Sequence, residues 1–217
     1  MKQQTKFKEI ELGEIPEEYP LKEIGTGAKV FSGFAFKSDD LNNQEGIPVV
    51  KIGNIHDRQV SLEGSQFFPE RLVNDKISKF FLEDRDVLIA MTGQGSVGRV
   101  GQIRLQDEKV LLNQRVGKFI IDNKNLDRDY LYFVISSPMY ETILFDTGSG
   151  SGQPNLSPTQ ILSVEIPLPD IKIQRKISNI LRYLNDKIFI NQQMNKTLEA
   201  IGQAIFKRLF VYFEFPN

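Results

Sequence analysis

From Ile171 to Phe210 the chain carries no proline and a single glycine, Gly202, in LPDIKIQRKISNILRYLNDKIFINQQMNKTLEAIGQAIFKRLF. Two prolines in IPLPD, Ile166 to Asp170, bar a helix from running in from the N-terminal side. Asp170 can then cap a helix starting at Ile171. At about 1.5 Å per residue such a helix is roughly 60 Å long, more than one domain needs for cover. Its apolar positions follow a heptad. Ile173, Ile177, Ile180, Leu184, Lys187, Asn191, Met194, Leu198, Ile201, Ile205 and Arg208 are spaced alternately by four and three, and eight of these eleven are apolar. That spacing is the seam of a coiled coil.

Leu181, Ile188 and Phe206 widen the stripe, so the helix is expected to pack on more than one neighbour. Lys187 and Asn191 interrupt it near the middle, where a buried amide fixes register and partner at some cost in stability. The alternative is a helix folded back on its own domain, from which about half of such a length would overhang.

Composition narrows the chemistry. The 217 residues are 40% apolar and 25% charged, enough for one domain, or a domain plus an appendage, to build a core without disulfides. There is no cysteine and one histidine, His56, which removes thiol nucleophiles, redox pairs and cysteine zinc sites and disfavours a histidine-centred cluster. No apolar run approaches membrane length, and MKQQTKFKEIELGEIPEEYP lacks a signal peptide's apolar core. The expectation is a soluble cytoplasmic protein with no membrane contact. Net charge is −1, unevenly placed: residues 1–170 hold 19 basic and 25 acidic side chains, residues 171–217 hold 8 and 3.

Upstream, PVVKIGNI (48–55), DVLIAM (86–91), VGQIRL (100–105) and VGKFIID (116–122) have the β-branched, bounded character of strands. Asp127–Phe145 reads as a helix broken near Pro138, and Gly25–Gly46 as mostly loop. The fold class expected is α+β, a β-rich domain with a few helices over 1–168 followed by the long coiled-coil helix over 169–217. Two glycine motifs suggest enzymes, but their context does not fit. GQGSVG, Gly93 to Gly98, follows a strand yet leads into another strand pattern, so no helix N-terminus is available for a pyrophosphate; a tight hairpin is expected. DTGSGSG, Asp146 to Gly152, follows a helix and runs into QPNLSP, without the strand-loop-helix context of a nucleotide loop. No P-loop and no Asn-Pro-Pro-Tyr-like tetrapeptide is present. Asp39/Asp40 and Glu83/Asp84 lie in polar turns and read as solvated acids.

Taken in order, GEIPEEYPLKEIG, GIPVVKIGNI, DVLIAMTGQGSVGRVGQI, LNQRVGKF, GSGQPNLSPTQILSVEIPLP and the final QRKISNILRYLNDKIFINQQMNKTLEAIGQAIFKRLFVYFEF resemble the specificity subunits of type I restriction-modification systems. The resemblance implies target recognition domains each followed by a long helix, with two helices pairing antiparallel in a full subunit. One such unit is present, so the chain looks like a half-length subunit or one half of a longer protein. A half with a self-complementary seam is expected to form a C2 homodimer, or to pair with another half-subunit. The further implications are a non-catalytic chain with no cofactor of its own and a gapped DNA target. Its partners are double-stranded DNA, modification subunits that methylate adenine with S-adenosylmethionine, and an ATP-dependent restriction subunit.

Phosphate contacts need Lys, Arg and small polar groups, whereas base readout favours Arg on guanine and Asn or Gln on adenine. The candidates in polar loops are Lys29, Lys37, Lys51, Asn54, His56, Arg58, Arg71, Lys76, Lys79, Gln94, Arg99 and Arg115. Gln94, Arg99 and Arg58 lead, because short turns project side chains freely. The seam candidates are Ile173, Ile177, Ile180, Leu184, Asn191, Met194, Leu198, Ile201 and Ile205. QPNLS, Gln153 to Ser157, reads as a structural joint. A domain with more acids than bases is awkward for a DNA binder. The competing reading is a coiled-coil adaptor whose β-rich domain binds protein.

Overall fold

A computed structural model describes residues 6–10, 13–149 and 154–215, which form two compact units, Met1–Arg175 and Lys176–Asn217. Residues 150–152 of the second glycine motif and Gln153 of the QPNLS segment lie outside the described residues.

After three short strands, β1 (Phe7–Ile10), β2 (Gly13–Pro16) and β3 (Leu21–Glu23), unit 1 is built on apolar strands whose side chains alternate between two faces. In β5 (Ile47–Val50), Ile47 and Val49 join Phe68, Ile77 and Leu111 on one face, while Val50 turns to the other. The neighbouring β11 (Leu111–Leu112) divides its two leucines in the same way. This is the period-two rule applied to a strand covered on both sides. β5 pairs parallel with β11 and antiparallel with β8 (Gln66–Phe68) to give a three-stranded sheet.

The larger sheet has six strands, in the order β4 (Ala28–Ser32), β12 (Val116–Ile121), β9 (Val87–Ala90), β10 (Val100–Gln102), β7 (Gln59–Val60), β6 (Ile55–His56). Every residue of β9 is buried, which explains why DVLIAM reads as an unbroken apolar run. Val50, Leu82, Leu88, Ala90, Ile103, Leu112 and Val116 form one core cluster fed by both sheets. Each fully buried aliphatic side chain contributes about 1.5–3 kcal/mol. A nearly buried ion pair sits at the sheet: Lys118 Nζ lies 3.1 Å from Asp86 Oδ2, with side-chain exposures of 13% and 9%. The same Asp86 oxygen accepts the Glu83 backbone N–H at 2.8 Å.

The expected strand at 48–55 is interrupted. Asn54 Oδ1 accepts the Lys51 N–H at 2.8 Å, closing a tight 3₁₀ turn over Ile52–Asn54 before β6 begins. Gly25–Gly46 is mostly loop, as expected, but it also contains β4, paired in register with β12 from Ala28↔Ile121 to Ser32↔Gly117. The GQGSVG segment does join antiparallel neighbours, but through a wide loop rather than a tight turn, with Gly93, Gly95 and Gly98 all at positive φ. A Cβ at Gly98 would stand 2.9 Å from the Phe145 backbone nitrogen. Backbone conformation and close approach both require glycine there.

Helix α1 (Arg128–Ile135) is capped by Asp127, whose side chain accepts the Tyr130 N–H, and α2 (Pro138–Gly148) starts at the expected proline break. Tyr130 and Tyr140 donate their hydroxyls to the carbonyls of Pro167 (2.8 Å) and Glu165 (3.1 Å) in β13 (Glu165–Pro167), and burial raises the pKa of both phenols. The short helix α3 (Pro158–Leu162) follows the QPNLS segment. There Leu156 N–H donates to Met91 O at 2.7 Å and Asn155 N–H to Gly148 O at 3.0 Å, fastening the segment as a joint.

The long helix α4 runs Ile171–Phe206, 36 residues, and continues as a π-helical turn over Lys207–Val211. Asp170 Oδ1 accepts the Lys172 N–H at 2.8 Å, as a cap should. Within unit 1, Gln174 is fully buried. Its amide accepts the Asp127 N–H (2.9 Å) and donates to Asn125 O (3.0 Å) and Pro169 O (2.8 Å), tying the first turn of α4 to the loop before α1.

Candidate nucleic-acid interface

Three separate segments of unit 1 meet around a cleft of about 300 Å³. The first follows β4, with Phe36, Ser38 and Leu41 on the wall. Phe36 packs edge-on to Phe34 and tilts against Phe68, each at 5.0 Å between ring centroids, which stiffens that wall. The second is the kink after β5, Lys51 and Ile52. Lys51 Nζ donates to Gln66 Oε1, and partial burial lowers its ammonium pKa.

The third segment is the turn Asn113–Arg115 between β11 and β12. Its backbone is held from several sides. Asn113 N–H donates to Val50 O (3.0 Å), Gln114 N–H to Phe34 O (2.9 Å), and Met91 N–H to Arg115 O (3.0 Å). Asn113 Oδ1 accepts the Arg115 N–H at 3.2 Å. The glycine loop lies beside the same cleft: a Cβ on Gly93, φ +106°, would stand 2.7 Å from Ile52 Cδ1. Gln94 is the exposed residue that follows.

The expected contact residues divide by environment. Lys51 and Arg115 line the cleft, and Lys37 precedes its wall residue Ser38. Lys76 Nζ lies 5.7 Å from the centroid of the Phe34 ring, which packs on the wall residue Phe36. Lys29 is exposed on edge strand β4, and Arg71 and Lys79 are exposed in 3₁₀ turns. His56 is exposed and 3.2 Å from Asp57. Asn54 is buried and its amide is used internally, by Lys51 N, Ser61 O and Ser65 Oγ.

Two of the three leading candidates lie against helices. Arg58 Nε donates to Ser136 Oγ at 3.2 Å, and the Tyr132 hydroxyl donates to Arg58 O at 2.9 Å, so this hairpin tip packs on α1. Asp57 and Arg58 occupy the tip at φ 50° and 64°, as a two-residue type I′ connection demands. Arg99 Nε is 4.0 Å from Glu141 Oε1 on α2. Gln114, which is not among the expected contact residues, lines the cleft next to Arg115. A glutamine adjoining an arginine in a polar turn between two apolar strands was the available signal.

Asp39/Asp40 and Glu83/Asp84 make no metal centre, and no group of three or more His, Asp or Glu able to hold a metal ion occurs among the described residues. No helix among them is long and apolar enough to cross a membrane.

Unit 2 carries the second candidate surface. Ile180, Leu184, Met194, Leu198, Ile201 and Ile205 are between 50% and 63% exposed along the heptad, and Asn191 is exposed among them. Ile173 and Ile177, nearer the helix start, are half-buried. A contiguous exposed apolar stripe of this extent marks an interaction surface.

The specificity subunit of the type I restriction enzyme MjaVIII from Methanocaldococcus jannaschii is 27% identical over 205 residues, 94% of this chain and 48% of that protein. The MjaIX specificity subunit from the same organism is also 27% identical, covering 97% and 48%. The chain thus spans about half the length of the curated relatives it matches. Among solved structures, the type I restriction-modification S subunit from M. genitalium has the same fold, with TM-score 0.63 at 16% identity over 93% of this chain and 46% of that one. The HsdS subunit from Thermoanaerobacter tengcongensis superposes with TM-score 0.55 at 17% identity, covering 90% and 46%. Residues 16–200 match the model of the type I restriction modification DNA specificity domain, and the chain belongs to that family.

Proposed function

We propose that this chain is the DNA-sequence specificity subunit of a cytoplasmic type I restriction-modification complex. It binds one half of a bipartite, gapped site and directs adenine methylation, and cleavage where a restriction subunit is present, without catalysing either. The observation that carries the reading is a family match across 16–200 combined with a heptad stripe left uncovered on a single copy. Chemistry requiring S-adenosylmethionine or ATP falls to the partner subunits.

A second copy is the simplest cover for the stripe. Each recognition domain joins its helix at the N-terminal end, so antiparallel pairing of two helices, each about 54 Å over 36 residues, places the domains toward opposite ends. One DNA turn measures about 34–36 Å, so the two domains address separate half-sites on one duplex. C2 symmetry makes those half-sites inverted copies, a gapped palindrome.

The excess of acids in residues 1–170 sets the affinity expected of the isolated chain. With few phosphates neutralised, it binds duplex DNA weakly, and firm binding requires modification subunits that close round the DNA. Titrating one labelled duplex with the chain alone, and with the chain plus its modification subunit, at about 50 and 200 mM salt tests this. The expected result is tight binding by the complex only. Strong, salt-resistant binding by the isolated chain would contradict it.

A further inference from the structure

We infer that a second copy of this chain pairs with α4 in one register, set by Lys187 of each helix donating to the side-chain carbonyl of the partner's Asn191. This rests on the antiparallel pairing proposed above and names its alignment. The heptad has two rows: Ile173, Ile180, Lys187, Met194 and Ile201 form one, and Ile177, Leu184, Asn191, Leu198 and Ile205 the other. In an antiparallel pair each layer of the seam joins a residue of one row to a residue of the other row on the partner. One alignment, centred at the level of residue 189, sets Ile173 against Ile205, Ile177 against Ile201, Ile180 against Leu198, Leu184 against Met194 and Lys187 against Asn191. Every apolar side chain then meets an apolar one, and the two polar side chains meet each other on both sides of the two-fold axis. An ammonium and an amide carbonyl are donor and acceptor, so neither is left unpaired in the seam.

Slipping by one heptad breaks the match. In one direction Lys187 opposes Leu198 and Asn191 opposes Met194; in the other Lys187 opposes Leu184 and Asn191 opposes Ile180. Either slip sets a charge and an amide against hydrocarbon. Parallel pairing puts Lys187 against its own copy, a like-charge contact. Two further features of the helix fit the alignment. Ile188 and Ile190 lie outside both rows and are 53% and 51% exposed. In this register both meet their own copies close to the two-fold axis, one on each side of the polar centre, and the four isoleucines shield it from water. The α-helical geometry ends at Phe206, directly after Ile205, the last position the alignment uses. A π-helical turn over Lys207–Val211 then departs from the heptad phase, and Arg208 Nε lies 3.4 Å from Glu214 Oε2. The first slip would instead need Arg208 opposite Ile177. One heptad of slip also moves the two helix starts by about 10 Å, roughly three base steps of a duplex, so a fixed register is a fixed gap between half-sites.

The chain has no cysteine, so single cysteines introduced at exposed helix positions report the alignment through a short thiol–thiol cross-linker. Full-length Leu184→Cys mixed with Met194→Cys should cross-link, because the two positions are level, whereas each alone should not, its own copies lying about 15 Å apart along the axis. Ile188→Cys should cross-link to itself, at an axial offset of about 3 Å. Cross-linking of Leu184→Cys to Ile201→Cys in place of Met194→Cys would put the register one heptad away and overturn the inference while leaving antiparallel pairing intact. Self-cross-linking of Leu184→Cys would mean parallel helices and overturn both. A native chain that sediments as a monomer would remove the pairing reading itself. The polar pair is tested by Lys187→Leu/Asn191→Leu, which should dimerise about tenfold or more tightly and cross-link Leu184→Cys to both Met194→Cys and Ile201→Cys. A single register kept in that variant would show that Lys187 and Asn191 do not set it.

Discussion

The proposed homodimer should be lost in a Leu198→Asp variant, which should sediment as a monomer, and Leu184→Asp should do the same. Both leucines lie on the heptad, and in one copy they are 61% and 59% exposed. Burying a leucine stabilises by about 1.5–3 kcal/mol, and two-fold symmetry doubles each loss. Two carboxylates then enter an apolar seam without partners, which adds a desolvation cost. A total of at least about 4 kcal/mol corresponds to a dissociation constant raised about a thousandfold or more. The monomer itself should be nearly unaffected, because substitution at an exposed position shifts stability by about 0.5 kcal/mol or less. Sedimentation velocity with parallel thermal unfolding separates loss of pairing from loss of fold. A variant that stays dimeric with unchanged stability would show that the heptad is not the interface.

Asp86→Ala should have the largest effect on the fold of unit 1, lowering its stability by about 3–5 kcal/mol. The substitution leaves the Lys118 ammonium, 13% exposed, without its carboxylate and the Glu83 N–H without its acceptor. Removing one member of a buried pair costs more than removing both, since the remaining charge keeps its desolvation penalty. The double variant Asp86→Leu/Lys118→Met should therefore recover much of the loss. Against a typical total of about 5–15 kcal/mol, the single change consumes a large share and lowers Tm by on the order of 10 °C. Calorimetry showing the single variant within about 1 kcal/mol of native would mean that Lys118 reaches water instead.

Elements carrying their own local signal were legible in the sequence. β9 is a fully buried apolar run, β12 lies within the expected 116–122, β10 occupies only Val100–Gln102 of the expected 100–105, and α1, α2 and α4 carry Asp127, Pro138 and Asp170 at their starts. The heptad was legible because periodicity along a helix is a local property. β4 was hidden because AKVFS is short, flanked by glycines and held by β12, far away in sequence. The kink at Lys51 depends on one side chain, Asn54, turning back to the backbone. Hairpin β6–β7 lacks the Asn-Gly signature of its turn type, carrying Asp57 and Arg58 at positive φ instead.

The cleft was harder to foresee, because residues near 36–41, 51–52 and 113–115 meet only through sheet pairing. Prominence in a turn favoured Arg58 and Arg99, yet Ser136 lies 78 positions beyond Arg58 and Glu141 sits on α2 beside Arg99. Such partners can be seen only in three dimensions.

Single-molecule methylation sequencing of the source genome, with and without the gene for this chain, tests the specificity role most directly. Loss of methyladenine at one gapped palindrome is the expected result, and it would establish address reading and pairing of identical halves together. Unchanged methylation, with the modification subunit expressed and active, would contradict the specificity role.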